Sequence, residues 1–349
     1  MYASDDNYAW LMGISMISLF ENNKESKDIN VFVFGDNLSV ENQNVITSIA
    51  EKYGRRCNHV DVAKINIPHV LMSERYPKSA FSRLFAYDLL PEGVDKLLYL
   101  DCDTIVMGSL EVMYNMSFEG KTFLVAKDCM SKGYKYKIGL KDEDTYINTG
   151  VMLMDIKRLR ERPITQRMVA FVDRYAEAIT YADQEIVNGI FQEDLGILPV
   201  EYNMQTQFVQ YPYEEICRIR HPHYFYSKEE VEYGRQHPKI YHYTTCMLDV
   251  RPWFDNSKIV NAWAFDKYMQ MSPWKDKKKA TKTFDGLANG VLKQVDKMPK
   301  SLRQPILGLI HSILRPNFYI AKNNIYQLKK KITGKKDDTI GMNLNNDKK

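Results

Sequence analysis

Cysteine is scarce in this chain and its placement is uninformative as a framework. Cys57, Cys102, Cys129, Cys217 and Cys246 are odd in number, widely scattered and never spaced C-x-x-C. That excludes a disulfide scaffold and a zinc knuckle and fits a reducing compartment. No run approaches the roughly 18 apolar residues that a membrane span needs. The start, Met1-Tyr2-Ala3-Ser4-Asp5-Asp6, has neither a basic nor an apolar stretch, so no secretory signal is expected. Glycine-rich phosphate loops of the G-x-x-x-x-G-K-[ST] or G-x-G-x-x-G kind are missing as well. A fixed-period repeat is also absent.

What is present is a large apolar fraction and an uneven charge. At 44% hydrophobic and 12% aromatic residues over 349 positions, the chain can bury a sizeable core, as one large α/β domain with an appendage or as two domains. The net charge is only +4, but residues 275 to 336 hold sixteen Lys/Arg against three Asp, leaving residues 1 to 274 acidic. An acidic body argues against nucleic acid binding, and the basic segment points to an attached surface-binding element.

Leu97-Leu98-Tyr99-Leu100 reads as a buried strand that runs into Asp101-Cys102-Asp103. Alternate residues of an extended backbone point the same way, so the two carboxylates converge where the strand emerges. Hard oxygen ligands of this kind suit Mg²⁺ or Mn²⁺ bridging to nucleotide phosphates. Asp142-Glu143-Asp144 has the same spacing without a strand before it and reads as a solvated loop.

Around this segment the pattern alternates. Helices are expected over Ala9–Asn22, Glu41–Tyr53, Ser79–Leu90, Ile164–Ile179 and Gln184–Phe191. Strands are expected at Asn30–Phe34, His59–Val62, Phe123–Ala126, Tyr146–Met154, Ile197–Pro199 and Lys239–Tyr241. Such alternation favours a mostly parallel sheet with helices on both faces. A boundary is expected near residue 272. Beyond it, Phe284, Leu287, Ala288, Val291, Leu292 and Val295 form one helical stripe, and Leu302, Ile306, Leu309, Ile310 and Ile313 form another. Pro299, Pro305 and Pro316 are expected to cut this segment into short pieces. Basic ends on apolar stripes are the pattern of a helix lying in the headgroup plane of an anionic bilayer, and a helical cap packed on the domain is the other reading.

Seven clusters now bear on function. They are Ser4-Asp5-Asp6-Asn7-Tyr8-Ala9, Ser79-Ala80-Phe81-Ser82-Arg83-Leu84, Tyr99-Leu100-Asp101-Cys102-Asp103, Tyr146-Ile147-Asn148-Thr149-Gly150-Val151, Asp183-Gln184-Glu185-Ile186-Val187-Asn188, Leu198-Pro199-Val200-Glu201-Tyr202-Asn203, and His242 followed by Arg251-Pro252-Trp253. In this order they resemble the retaining glycosyltransferases of family 8, over about residues 1 to 255. The resemblance implies a Rossmann-like nucleotide-diphospho-sugar transferase fold of the GT-A type, with a mixed, mostly parallel central sheet. It implies transfer of a hexose, glucose or galactose, from a UDP-sugar to a glycan, a lipid-linked oligosaccharide or a glycoprotein.

Site residues follow from the same resemblance. Asp5, Asn7 and Tyr8 would contact the nucleotide; their residue types also suit a uracil edge, a ribose and base stacking. A helix N-cap by Asp5 or Asp6 is the plainer alternative. Arg83 would contact the donor sugar or diphosphate. Asp101 and Asp103 carry over as metal ligands with His242 as the third, a set that favours Mn²⁺ over Mg²⁺. Asn148 and Asp183 would line the sugar subsite, and Gln184 would face the anomeric carbon. An amide is a poor nucleophile, so a front-face substitution is expected over a covalent intermediate. Asp128 matches an aspartate near the acceptor or donor sugar and otherwise reads as a strand-end cap. Arg251 would join the ion in clamping the departing phosphate.

Two features depart from the family pattern. The stretch His242 to Trp253 is long, lacks glycine, and has Arg where the family has Lys; arginine and lysine are not equivalent on phosphate. The first strand is short, so a start further upstream is expected. The reading is therefore a catalytic domain over 1–272, a basic amphipathic segment over 273–336 that associates with the inner face of the cell membrane, and a disordered tail over 337–349. The rivals are a metal-dependent nucleotidyltransferase and a non-catalytic membrane-surface binding protein on a degenerate transferase fold.

Overall fold

Ten short strands and the helices between them are arranged in a computed structural model that describes residues 1–65, 78–162, 164–283, 290, 293–295 and 297–333. Strands β1 (Tyr2–Asp5), β2 (Asn30–Asp36) and β3 (Arg56–Asp61) pair in parallel. Strands β4 (Lys96–Leu100), β7 (Ile147–Asp155), β6 (Phe123–Lys127) and β8 (Leu195–Ile197) follow in that order, with β7 antiparallel to both β4 and β6. Main-chain bonds stitch the two groups: the Met1 amino group donates to the Leu98 carbonyl at 2.6 Å, and the Leu100 amide to Met1 at 3.0 Å. The sheet is thus mixed, parallel on one side of β4 and largely antiparallel on the other.

Both faces of this sheet are covered, and the period-2 geometry of strands assigns each residue to one of two cores. Val31, Val33, Val151 and Leu153 pack with helix α1 (Ala9–Glu21) and helix α2 (Val40–Lys52) on one face. Phe32, Phe34, Met152 and Met154 pack with helix α3 (Lys78–Leu89) on the other. Burying both faces explains why the strands read as unbroken apolar runs.

A small third sheet stands at the end of β4. Strand β5 (Thr104–Val106) pairs antiparallel with β10 (Ile240–His242), which in turn pairs in parallel with β9 (Met204–Gln205). Its register places His242 directly opposite Thr104, the residue after Asp103. That pairing brings together residues far apart in sequence.

The C-terminal segment differs from expectation in continuity. A helix over Lys300–Gly308 passes through a π-helical stretch, Leu309–Leu314, into a helix over Arg315–Thr333. The prolines do not cut it. Pro299 sits at the N-cap, and Pro305 lies inside the first helix. Pro316 has no N–H to donate to the Ser312 carbonyl, which instead accepts from Ser131 Oγ at 2.8 Å. The stripe residues Phe284, Leu287, Ala288, Val291 and Leu292, and the tail 337–349, lie outside the described residues. Of that first stripe Val295 is described, and it is buried against Ile219 and Leu307.

This segment lies against the acidic body. Lys279 pairs with Asp266, Lys300 and Arg303 with Glu215, Lys322 with Glu177, and Lys330 with Asp173. Part of the charge asymmetry is therefore internal attraction between segment and body. Its other side is apolar and exposed: Leu302, Leu309, Ile313, Leu314, Phe318, Ile325 and Leu328 all face outward.

Candidate active site

The strand β4 delivers Asp101 and Asp103 to the end of the sheet. The Asp101 amide donates to the Gly150 carbonyl at 2.8 Å, fixing the turn beside β7. One ligand atom each from Asp101, Asp103 and His242 lies within 4.8 Å of the others, and no other such group occurs among the described residues. His242 Nε2 is 3.2 Å from Asp103 Oδ1 and 3.6 Å from Asp101 Oδ2.

A chain of amides decides which ring nitrogen faces the carboxylates. The Gly150 amide donates to Asn148 Oδ1 at 2.9 Å, so the other side of that amide is the donor. Asn203 Nδ2 also donates to Asn148 Oδ1 at 2.9 Å, leaving Asn203 Oδ1 as acceptor for His242 Nδ1–H at 3.0 Å. The His242 Nε2 lone pair is thereby aimed at two carboxylates. Three acceptors so placed need a cation between them, a proton or a metal ion, and their N/O chemistry suits Mn²⁺. Gly150 leaves the space: a Cβ there would lie 2.1 Å from His242 Cε1 and 2.8 Å from Asp101 Oδ2.

Burial opposes charge on His242, but Asp103 and Asp101 outweigh it and raise the ring's pKa. Asp103 shows the converse: burial pushes its carboxyl up, while His242 and Arg251 bring it below its ordinary value.

The same amide chain runs the other way. Asn148 Nδ2 donates to Gln184 Oε1 at 3.0 Å, and Gln184 Nε2 donates to Asp128 Oδ2 at 3.0 Å. The Gln184 amide is held on both sides, near the N-terminus of the Ala182–Ile190 helix. Asp128 Oδ1 accepts the Cys129 amide at 2.7 Å, so both its oxygens are engaged, as a strand-end cap would have them. Burial raises the Asp128 carboxyl, against the pull of Arg220.

Arg83, on α3, links the two halves. Its guanidinium lies 3.0 Å from Asp101 Oδ1 and 3.4 Å from Asp183 Oδ2, and stacks 4.2 Å over the Tyr99 ring. Asp183 also accepts Thr149 Oγ1 at 2.9 Å, and burial raises its carboxyl against Arg83. Arg251 sits 3.6 Å from Asp103 Oδ2 and 5.1 Å over Trp253. Its loop and the C-terminal helix border an open cleft of about 380 Å³ lined by Tyr211, Met247, Asp249 and Arg303, so the long stretch between His242 and Trp253 has the appended segment behind it.

Asp5, Asn7 and Tyr8 lie at the end of β1, with the Tyr8 ring 42% exposed. Asp5 accepts the Tyr8 amide at 3.0 Å, and Asp6 takes the Ser39 amide and the Asn42 side chain at the start of α2. Neither caps α1, whose N-cap Tyr8 makes no side-chain bond. Asp142 faces Lys132 at the surface, a solvated turn as its context implied.

Sequence reading missed Tyr99, whose hydroxyl donates to Asp101 at 2.6 Å, and Asn203 as the partner of His242. No local signal marks a second partner 39 positions away from its histidine. Asn203→Ala is expected to weaken divalent metal binding about 10- to 100-fold, checked by titrating Mn²⁺ calorimetrically.

A family model described as glycosyl transferase family 8 matches residues 1–257. General stress protein A of Bacillus subtilis (strain 168) is 22% identical over 78% of this chain and 92% of its own length. A lipopolysaccharide 1,2-glucosyltransferase of Escherichia coli is 26% identical over 78% of both chains. The solved galactosyltransferase LgtC, in complex with donor and acceptor sugar analogs, superposes with a TM-score of 0.62 at 22% identity, covering 78% of this chain and 95% of that one.

Proposed function

Because the chain belongs to glycosyl transferase family 8, we propose that it is a metal-dependent hexosyltransferase that takes glucose or galactose from a UDP-sugar and builds a cell-surface glycan. The observation that carries this reading is the convergence of Asp101, Asp103 and His242 beside the Arg83–Asp183 pair and the tethered Gln184.

In this reading Asp101, Asp103 and His242 hold a divalent ion, Mn²⁺ by preference and Mg²⁺ as the alternative. When bound, the ion supplies Lewis-acid stabilisation of charge on the departing β-phosphate. Arg251, beside Asp103, adds a second positive charge at that position. Tyr8 offers its exposed ring to the uracil, with Asp5 and Asn7 on the base and ribose. Arg83 holds Asp183 toward the sugar hydroxyls, and Asn148 holds Gln184. The Gln184 amide, fixed on both sides and a poor nucleophile, supports a front-face substitution in which it steadies the oxocarbenium-like centre. Asp128 acts by orienting Gln184. Binding energy from the nucleotide positions the sugar against an acceptor hydroxyl.

Incubation with UDP-glucose and UDP-galactose, without acceptor, tests the reading. Slow UDP release from one of them with Mn²⁺, abolished by excess chelator, is the expected result. No release, even with a glycan extract as acceptor, would favour a non-catalytic binding protein.

The exposed apolar side of the C-terminal helices supports a second element of the proposal, peripheral attachment to an anionic membrane on the cytoplasmic side. No described helix is long and apolar enough to cross a bilayer. Phe318, 63% exposed, and Leu314, 54% exposed, would enter the headgroup region. The double variant Leu314→Ser/Phe318→Ser is expected to lose about tenfold or more in partitioning to phosphatidylglycerol vesicles, measured by sedimentation, with unchanged UDP release in solution.

A further inference from the structure

The end of the Tyr213–Arg220 helix, the π-helical stretch and the loop after β6 meet beside Asp128. Two hydroxyl bonds lock them: Ser131 Oγ donates to the Ser312 carbonyl and Ser312 Oγ to the Ile219 carbonyl, both at 2.8 Å. What they gather is positive and aromatic. Arg220 is 6% exposed and donates to His311 Nε2, its Nη2 lies 3.4 Å from Cys246 Sγ, and its Nε has no partner. His311 Nδ1 is likewise buried and unpartnered, and the buried Tyr134 hydroxyl has only the Tyr181 side chain beside it. Tyr134 packs 5.2 Å from the His311 ring and 6.0 Å from Tyr181, and the Arg315 guanidinium lies 5.9 Å over Tyr181 at the solvent edge.

No carboxylate pairs with Arg220 or Arg315 within ion-pair distance among the described residues. Asp128, whose carboxyl Arg220 pulls down against burial, already accepts from Gln184 and Cys129. Accepting Arg220 through Nε2 leaves His311 with a proton on Nδ1, so the group offers unsatisfied donors and no free acceptor of charge. A buried guanidinium left so is costly unless an anion completes it. Phosphate fits a guanidinium fork, an imidazole N–H and a phenol better than a carboxylate does, because it presents oxygens in several directions.

We propose that Arg220, His311 and Arg315 with Tyr134 form a phosphate-binding subsite on the acceptor side of Gln184, so that the acceptor is a phosphate-bearing glycan or glycolipid entering along the C-terminal segment. The inference rests on the hexosyltransferase reading for its meaning but not for its measurement. Full-length protein is first saturated with UDP and Mn²⁺, which fills the donor site and reports separately on that reading. Glycerol phosphate is then titrated by calorimetry, alongside neutral phosphatidylcholine vesicles with and without phosphatidic acid.

Binding of glycerol phosphate by the wild type, about tenfold weaker in Arg315→Gln and His311→Ala while UDP binding is unchanged, is the expected result. Arg315 lies at the surface, so its loss leaves the fold intact even where an Arg220 variant does not. Two outcomes overturn the proposal. One is equal binding by wild type and Arg315→Gln. The other is no response to glycerol phosphate with Arg315-dependent binding to phosphatidic acid vesicles, which would make the cluster a lipid headgroup contact.

Discussion

Asp103→Asn is expected to reduce Mn²⁺-dependent UDP release about a thousand-fold, the scale set by losing the main electrostatic stabiliser of a leaving group. Asp103 is largely shielded and in contact with both His242 and Arg251, so in the proposed mechanism its carboxylate would serve the ion and the phosphate clamp at once. An amide keeps the shape and removes the charge. His242 then loses the stronger of the two carboxylates that raise its pKa, and the ring becomes neutral at lower pH. Ligand competition gives the effect a pH signature. The folded pKa of His242 is raised, so the stability it lends to the metal-free protein is full below its unfolded value and fades as pH rises through the folded value. Asp103 is lowered, so its share is present above its unfolded value and is lost as pH falls through the folded one. Metal must displace the His242 proton, and its stabilisation of the wild type should therefore grow as pH rises through the His242 titration. Melting curves with Mn²⁺ and with chelator across that range test this; a metal effect that is flat with pH would remove His242 from the ligand set.

Lys137→Met is expected to destabilise the fold by about 3–5 kcal/mol, the cost of leaving one buried charge without its partner. Lys137 Nζ meets Glu185 Oε1 at 2.7 Å with both side chains fully shielded from solvent. Lys137 also donates to the Ala178 carbonyl at 2.8 Å. Glu185 accepts the Tyr146 hydroxyl at 3.0 Å and the Thr180 and Tyr181 amides at 2.7 and 3.2 Å, so its carboxylate organises the turn into the Ala182–Ile190 helix. Gln184 precedes it, and a loosened Glu185 would loosen Gln184. The double variant Lys137→Met/Glu185→Gln should recover part of the loss, because the remaining buried group is neutral. Urea denaturation of the three variants provides the cycle; if the double variant is as unstable as the sum of the singles, the pair carries no coupling.

Local readings transferred well where one residue's neighbours in sequence are also its neighbours in space. The Leu97–Leu100 run emerges at Asp101 and Asp103 as its strand character implied. Helices over α1, α2 and α3 and the strands β2 and β7 lie within a residue or two of their patterned positions. The π-helical continuity through Pro316 was illegible, because the hydrogen bond that replaces the lost one comes from Ser131, 181 positions earlier. The lysines and arginines of the segment looked like a free basic surface, but Asp173, Glu177 and Glu215, which neutralise part of that charge, come from parts of the body far away in sequence.

By itself the sequence determined the kind of protein: apolar runs of strand length buried on both faces, carboxylates at a strand end, and seven ordered clusters carry the fold and the family. These are properties of local periodicity and residue chemistry, which a linear pattern records. Only the tertiary structure decided which nitrogen of His242 faces the carboxylates, how Gln184 is held, and that Arg220, His311 and Arg315 meet beside Asp128. Each depends on how distant segments meet, whether β10 against β5, the Ala182–Ile190 helix against β7 and the loop after β6, or the C-terminal helices against the body, and such contacts leave no spacing in the chain to read.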